Sequence, residues 1–315
     1  MPISFWIVFN AAILVLLFLD LAVWNRSGRV LALKHALLNT AFWVALAFMF
    51  AGFIHYWMGA GKALEFVTGY VIEESLSVDN LFVFILLFRY FKVPAEQERT
   101  VLFWGILGAL AMRGAFIGAG VALVHRFHWV LYLFGAFLIY SGIKLFGEGD
   151  DEPVDPSHNA LLRLTRRFIP VSDGYEGKRF FIRRAGKLLA TPLFIVLLVV
   201  ETTDILFATD SIPAILAISH DPFIVYTSNA FAILGLRSMY FVLSTHMKVF
   251  HYLNYGLAVV LMFIGGKMLV GYWYEIPTWV ALVVIASVLG LSVLASVLFP
   301  KKEEKQAASS AGPLG

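Results

Sequence analysis

Long apolar runs alternate with short polar stretches along the chain. Nine runs are long enough to cross a bilayer as helices: 3–24, 36–58, 63–90, 101–124, 129–146, 192–219, 223–246, 252–273 and 278–299. They divide the chain into 1–146 with five spans, a long connection at 147–191, 192–299 with four spans, and a tail at 300–315. The tail, ending Ala-Ala-Ser-Ser-Ala-Gly-Pro-Leu-Gly, reads as disordered. The first run lacks a basic segment before it and a small-x-small cleavage site after it, so it is expected to stay as a helix. The pattern predicts an all-α polytopic membrane protein.

Composition narrows the chemistry. Of 315 residues, 60% are hydrophobic and 14% charged, where a soluble domain carries about a quarter charged; mean hydropathy is +0.81. A soluble enzyme with a polar surface is excluded, and no enzymatic activity is expected. The absence of cysteine excludes disulfides, thiolate metal sites and thiol nucleophiles. The net charge of +3 matters less than its placement. With the N-terminus outside, nineteen of the 24 Lys and Arg fall on the cytoplasmic side; Lys62 and Arg126 lie outside, and Arg113, Arg237 and Lys267 within or at the end of spans. The positive-inside rule therefore predicts an outer N-terminus and a cytoplasmic C-terminus. The 147–191 connection begins acidic and turns basic. Leu161, Leu162, Phe168 and Ile169 share a helical face opposed to Arg163, Arg166 and Arg167, which fits either a short interfacial helix or a solvated linker.

Spans three to five and six to eight carry matching markers. Asp79, Arg113 and Lys144 are spaced by 34 and 31 residues; Asp204, Arg237 and Lys267 by 33 and 30, each in similar apolar surroundings. Three spans is an odd number, so the second copy (192–273) lies inverted relative to the first (63–146). A 3+3 inverted repeat builds transporters whose site lies near the midplane between the copies.

The third span contains Glu73, Glu74, Asp79 and Asn80, and the sixth Glu201, Asp204 and Asp210. A carboxylate at the bilayer centre costs about 2.5–3.5 kcal/mol on insertion scales. Ion pairs of Asp79 with Arg113 and of Asp204 with Arg237 would make the arginines structural counter-charges, yet two arginines do not balance six acids. A bound cation or protons must supply the remainder. Glu201, Asp204, Ala208 and Ser211 share one face and Glu73, Ser77 and Asn80 another, with Asp210, Glu74 and Asp79 elsewhere around their helices. Pro213 offers local unwinding beside Asp210, although a kink is its ordinary role. The histidines His35, His55, His125, His128, His158, His220, His246 and His251 fall in loops or near span ends, away from the acids. Oxygen donors alone suit Mn²⁺, Mg²⁺ or Ca²⁺ rather than zinc or copper. Asn80 and Asn229 are neutral oxygen donors or helix–helix hydrogen-bond partners. The glycines of 114–120 lie in an apolar span with no phosphate-loop lysine, so no nucleotide or nucleic acid is expected.

These segments resemble the TerC family of integral membrane proteins, especially its Alx-like branch. The resemblance is carried by Tyr-Val-Ile-Glu-Glu-Ser-Leu-Ser-Val-Asp-Asn-Leu-Phe-Val-Phe (70–84), Glu-Thr-Thr-Asp-Ile-Leu-Phe-Ala-Thr-Asp-Ser-Ile-Pro-Ala (201–214) and Phe-Ala-Ile-Leu-Gly-Leu-Arg (231–237), with Thr209 in place of a small apolar residue. It implies a bacterial inner-membrane metal-ion transport protein of the LysE-like superfamily, associated with manganese export and historically with tellurite resistance. By the same resemblance, Glu74, Asp79, Asn80, Glu201, Asp204 and Asp210 line a central metal path. The expected function is Mn²⁺ efflux coupled to protons, with no permanently bound cofactor. Its rivals are a Ca²⁺/H⁺ exchanger and a non-transporting partner that delivers metal to secreted enzymes or anchors an assembly through the basic loop. The sequence sets no oligomeric state.

Overall fold

The computed structural model describes residues 3–24, 33–127, 129–147, 170–172, 174–184, 187–245, 252–271, 273–274 and 276–298. Among the described residues lie nine helices: α1 (Ile3–Trp24), α2 (Leu33–Met58), α3 (Ala60–Tyr90), α4 (Ala95–Arg126), α5 (Val130–Gly147), α6 (Pro192–Leu216), α7 (Pro222–Thr245), α8 (Leu253–Val270) and α9 (Thr278–Leu298). Each falls on an expected run. The α4 helix starts six residues early, because Pro94 precedes it with extended backbone and Glu96 and Glu98 suit its first turn. Gly59 joins α2 to α3 at φ 90, a conformation natural only to glycine.

Five helices, α2, α4, α6, α8 and α9, are long and apolar enough to cross a membrane on length and composition alone, and α1 and α5 contain shorter apolar stretches. The two that fall short, α3 and α7, carry the polar load: Glu73, Glu74 and Asp79 on one, Thr227, Ser228, Asn229, Arg237 and Ser238 on the other. Their position explains this. They pack on each other, α2 covers both, and α7 is buried along nearly its whole length. A helix shielded from lipid by other helices need not be apolar.

The three most extensive helix contacts are α5 with α8, α3 with α7 and α4 with α6. Exchanging α3, α4 and α5 with α6, α7 and α8 turns this set into itself. Small residues permit the closest of these contacts, since a Cβ at Gly135 would lie 2.9 Å from the Gly265 carbonyl oxygen and one at Gly142 2.7 Å from that of Ala258. At one end of the bundle, Phe9, Phe50, Phe66, Phe223 and Phe231 interlock α1, α2, α3 and α7 through ring contacts of 4.9–6.4 Å.

The 147–191 connection holds a feature absent from the sequence reading. Strands β1 (Phe181–Arg184) and β2 (Lys187–Ala190) pair antiparallel just before α6. Tyr175 donates to the Phe91 carbonyl at 2.8 Å, and Phe181 packs on Phe194 at 4.5 Å, so the segment is held to the ends of α3 and α6. Burial pushes the Tyr175 phenol up to about 12. The interfacial-helix reading at 161–169 and the disordered-tail reading at 300–315 lie outside the described residues.

Candidate functional site

Arg113 on α4 organises the centre. Its side chain is 1% exposed and faces α6 because α4 packs there. Asp204 receives a fork of two bonds, from Nε at 3.3 Å and Nη2 at 3.1 Å. Nη1 is ion-paired with Glu73 Oε1 on α3 and also reaches Ser211 Oγ and Asn229 Oδ1, each at 3.5 Å. One guanidinium thus joins α3, α4, α6 and α7 and serves two carboxylates. The sequence reading gave Arg113 to Asp79 and Arg237 to Asp204; the structure gives both Asp204 oxygens to Arg113, while the Asp79 side chain lies outside the described residues. Spacing along the sequence suggested Asp79 as the partner of Arg113, whereas the packing of α4 on α6 brings Arg113 to Asp204. Arg237 is buried on α7, beside a small cavity lined by Leu17, Trp43, Phe103, Ile106 and Leu234.

The remaining acids take separate places. Glu74 follows Tyr70 by one helical turn and lies near Gly235 of α7. Glu201 lies against Gly108 of α4. Glu73, Glu74 and Glu201 each keep a buried Oε2 without a hydrogen-bond partner. Asp210 accepts a 2.9 Å bond from Ser141 of α5 and, with Asn80, Lys144 and Thr209, lines a cavity of about 360 Å³ between α3, α5, α6 and α8. Asp79 sits on α3, but its side chain lies outside the described residues. The α6 helix runs unbroken through Pro213 to Leu216, without the local unwinding that Pro213 could have offered. A proline removes one donor, and the turns beyond it are closed by Ala217 and Ser219 amides on the Pro213 and Ile215 carbonyls.

Of the six expected ligands, the structure brings Asn80 and Asp210 to one cavity, gives Asp204 to Arg113 and seats Glu74 and Glu201 at two further helix contacts. Among the described residues no three His, Asp or Glu side chains gather as a metal-holding group. The residues missed by sequence reasoning are Ser141, the hydrogen-bond partner of Asp210, and Glu73 as a partner of Arg113. Glu73 had a signal, its place on the stripe with Ser77 and Asn80, all three now seen buried. Ser141 had none beyond standing near the Lys144 marker. The donors are all oxygen, which favours a hard cation.

A lipid-facing helical bundle with carboxylates and arginines buried at its centre defines a polytopic membrane protein with a charged interior. The chain belongs to the integral membrane protein TerC family, whose model matches residues 58–305. It is 50% identical over 293 residues to a Myxococcus xanthus protein described as "Uncharacterized membrane protein STKORF319", covering 93% of this chain and 92% of that one. It is 42% identical over 310 residues to the Escherichia coli (strain K12) protein described as "Putative membrane-bound redox modulator Alx", covering 96% of each. A Rickettsia bellii protein described as "Uncharacterized membrane protein" is 40% identical, over 93% of this chain and 97% of that one. No solved structure matches the chain.

Proposed function

We propose that this protein is an inner-membrane transporter of divalent cations, exporting Mn²⁺ in exchange for protons, with its N-terminus outside and its C-terminus cytoplasmic. The observation that carries the reading is the buried Oε2 of Glu73, Glu74 and Glu201, three carboxylate oxygens without partners in a bundle where one arginine already serves two acids. Such atoms are costly unless protonation or a cation satisfies them at some stage of a cycle. The self-matching exchange of α3–α5 with α6–α8 supports an inverted repeat and alternating access. Asn80 and Asp210 in their cavity, with Asp79 next to Asn80 in sequence, are the ligand candidates for the moving ion. Arg113 acts as counter-charge, no catalytic role is proposed, and no cofactor is required.

The description of the Escherichia coli relative as a "Putative membrane-bound redox modulator" supports a second reading at the level of physiology. With no cysteine, this chain has no thiol chemistry to offer, and an influence on redox balance would run through the redox-active ion it moves. The test uses cells lacking other manganese exporters. Asp79→Asn and Asp210→Asn should abolish manganese tolerance with normal amounts of protein in the membrane, and Asp20→Asn, outside both repeats, should have the smaller effect. Full tolerance in both former variants would place the path elsewhere.

A further inference from the structure

Two glutamate–glycine contacts stand in the same relation across the bundle. Glu201 of α6 meets Gly108 of α4, and Glu74 of α3 meets Gly235 of α7. Glu74 and Glu201 are 127 residues apart, as are Gly108 and Gly235, and so are Ala95 and Pro222, where α4 and α7 begin. Asp79 and Asp204 are 125 apart, two residues out of that register and therefore about 200° around a helix from equivalence. The glutamates, rather than the aspartates, are the matching acids of the repeats.

The two contacts differ in closeness. A Cβ built at Gly108 would overlap the Glu201 carboxylate, and the three atoms nearest to it all belong to Glu201. A methyl group at Gly108 would therefore displace the Glu201 carboxylate first. A Cβ at Gly235 would lie 3.4 Å from Glu74 Oε1 and 3.8 Å from Oε2, ordinary contact distances. Glu201 is lodged on the α4 backbone, whereas Glu74 stands off from α7.

We propose that Gly108 and Gly235 are positioning residues forming reciprocal carboxylate seats, with Glu201 lodged at Gly108 in this conformation and Glu74 lodged at Gly235 in the opposite-facing one. The proposal rests on the transport reading, because in an inverted repeat the two halves exchange conformations between the two facing states. A methyl group at Gly108 then penalises the present conformation, and one at Gly235 penalises the other. The cavity between α3, α5, α6 and α8 reports which state is populated, since exchange converts its helices into one another and moves its opening to the other face.

The chain has no cysteine, so an introduced one is a unique reporter. Tyr140 lines that cavity and is 62% exposed, and the rate of maleimide labelling of purified Tyr140→Cys protein gives the baseline. Adding Gly235→Ala should raise the rate, and adding Gly108→Ala should lower it, each by about two-fold or more. Glu201→Asp, which retracts the carboxylate by one methylene, should return the Gly108→Ala protein toward baseline, and Glu74→Asp should not. Gly235→Ala is the decisive arm, because its methyl meets only ordinary contacts in this conformation and a purely packing role leaves labelling unchanged. Unchanged labelling in that variant, or shifts in the same direction for both alanines, overturns the seats. Absent cation flux in the wild-type protein would overturn the transport reading instead, and is measured separately.

Discussion

Replacing Arg113 by alanine tests the centre of the bundle. The guanidinium is 1% exposed, and its partners Glu73 and Asp204 are 0% and 5% exposed, so neither carboxylate has water to fall back on. Removing one member of a buried ion pair costs about 3–5 kcal/mol, because the remaining charge stays buried without compensation. Two carboxylates are left here, which places Arg113→Ala at the upper end of that range. For a chain of this size, about 2–4 °C of Tm accompanies each kcal/mol, so thermal unfolding in detergent should fall by roughly 10–20 °C. The triple variant Arg113→Met, Glu73→Gln, Asp204→Asn removes all three charges with similar shapes and should recover most of the loss, without recovering cation transport. A loss below about 2 °C for Arg113→Ala, well short of the range for a broken buried pair, would refute the shared-arginine arrangement. So would a triple variant no more stable than the single one.

Four further outcomes follow from particular contacts. Ser141→Ala removes the hydroxyl that donates to Asp210 and should weaken the apparent affinity for Mn²⁺ while leaving the protein folded, read as a raised KM with smaller change in maximal rate. Tyr175→Phe should loosen the 170–191 segment from α3, a loss of about 0.5–1.5 kcal/mol for one hydrogen bond, detected as faster proteolysis at 170–191. Because the folded Tyr175 phenol is raised to about 12 from 10, its contribution is complete below pH 10 and lost as pH rises through 12, so wild-type protein should lose protection there and Tyr175→Phe should lack that step. Lys92, at φ 51 in the α3–α4 link, should tolerate glycine with a gain of about 0.5–1 kcal/mol in unfolding free energy.

The spans were legible because burial in lipid demands unbroken apolar runs, and Ile3–Trp24 and Thr278–Leu298 announce themselves that way. The acids of α3 and α6 were legible for the opposite reason, since charge in such a run is rare. Their partners were not. Arg113 sits 34 residues after Asp79, but which of several acids it meets depends on how α4 packs against α6, and helical periodicity within one segment holds no information about that. Asp79 and Asp204 stand out in the sequence as charges, whereas the proximities of Glu201 to Gly108 and of Glu74 to Gly235 depend on packing between helices and are visible only in the structure. The β1–β2 hairpin, four residues per strand, lay in a stretch whose dominant signal was charge.

Flux through the purified protein tests the central claim most directly. Wild-type protein reconstituted into liposomes containing a Mn²⁺-sensitive dye, with a proton gradient imposed across the membrane, should take up Mn²⁺ at a rate that rises with the gradient and collapses when an ionophore dissipates it. Asp210→Asn protein reconstituted at equal density should show no uptake above protein-free liposomes. Wild-type uptake equal to that of protein-free liposomes at every gradient would contradict the account and leave a non-transporting membrane partner as the reading of the chain.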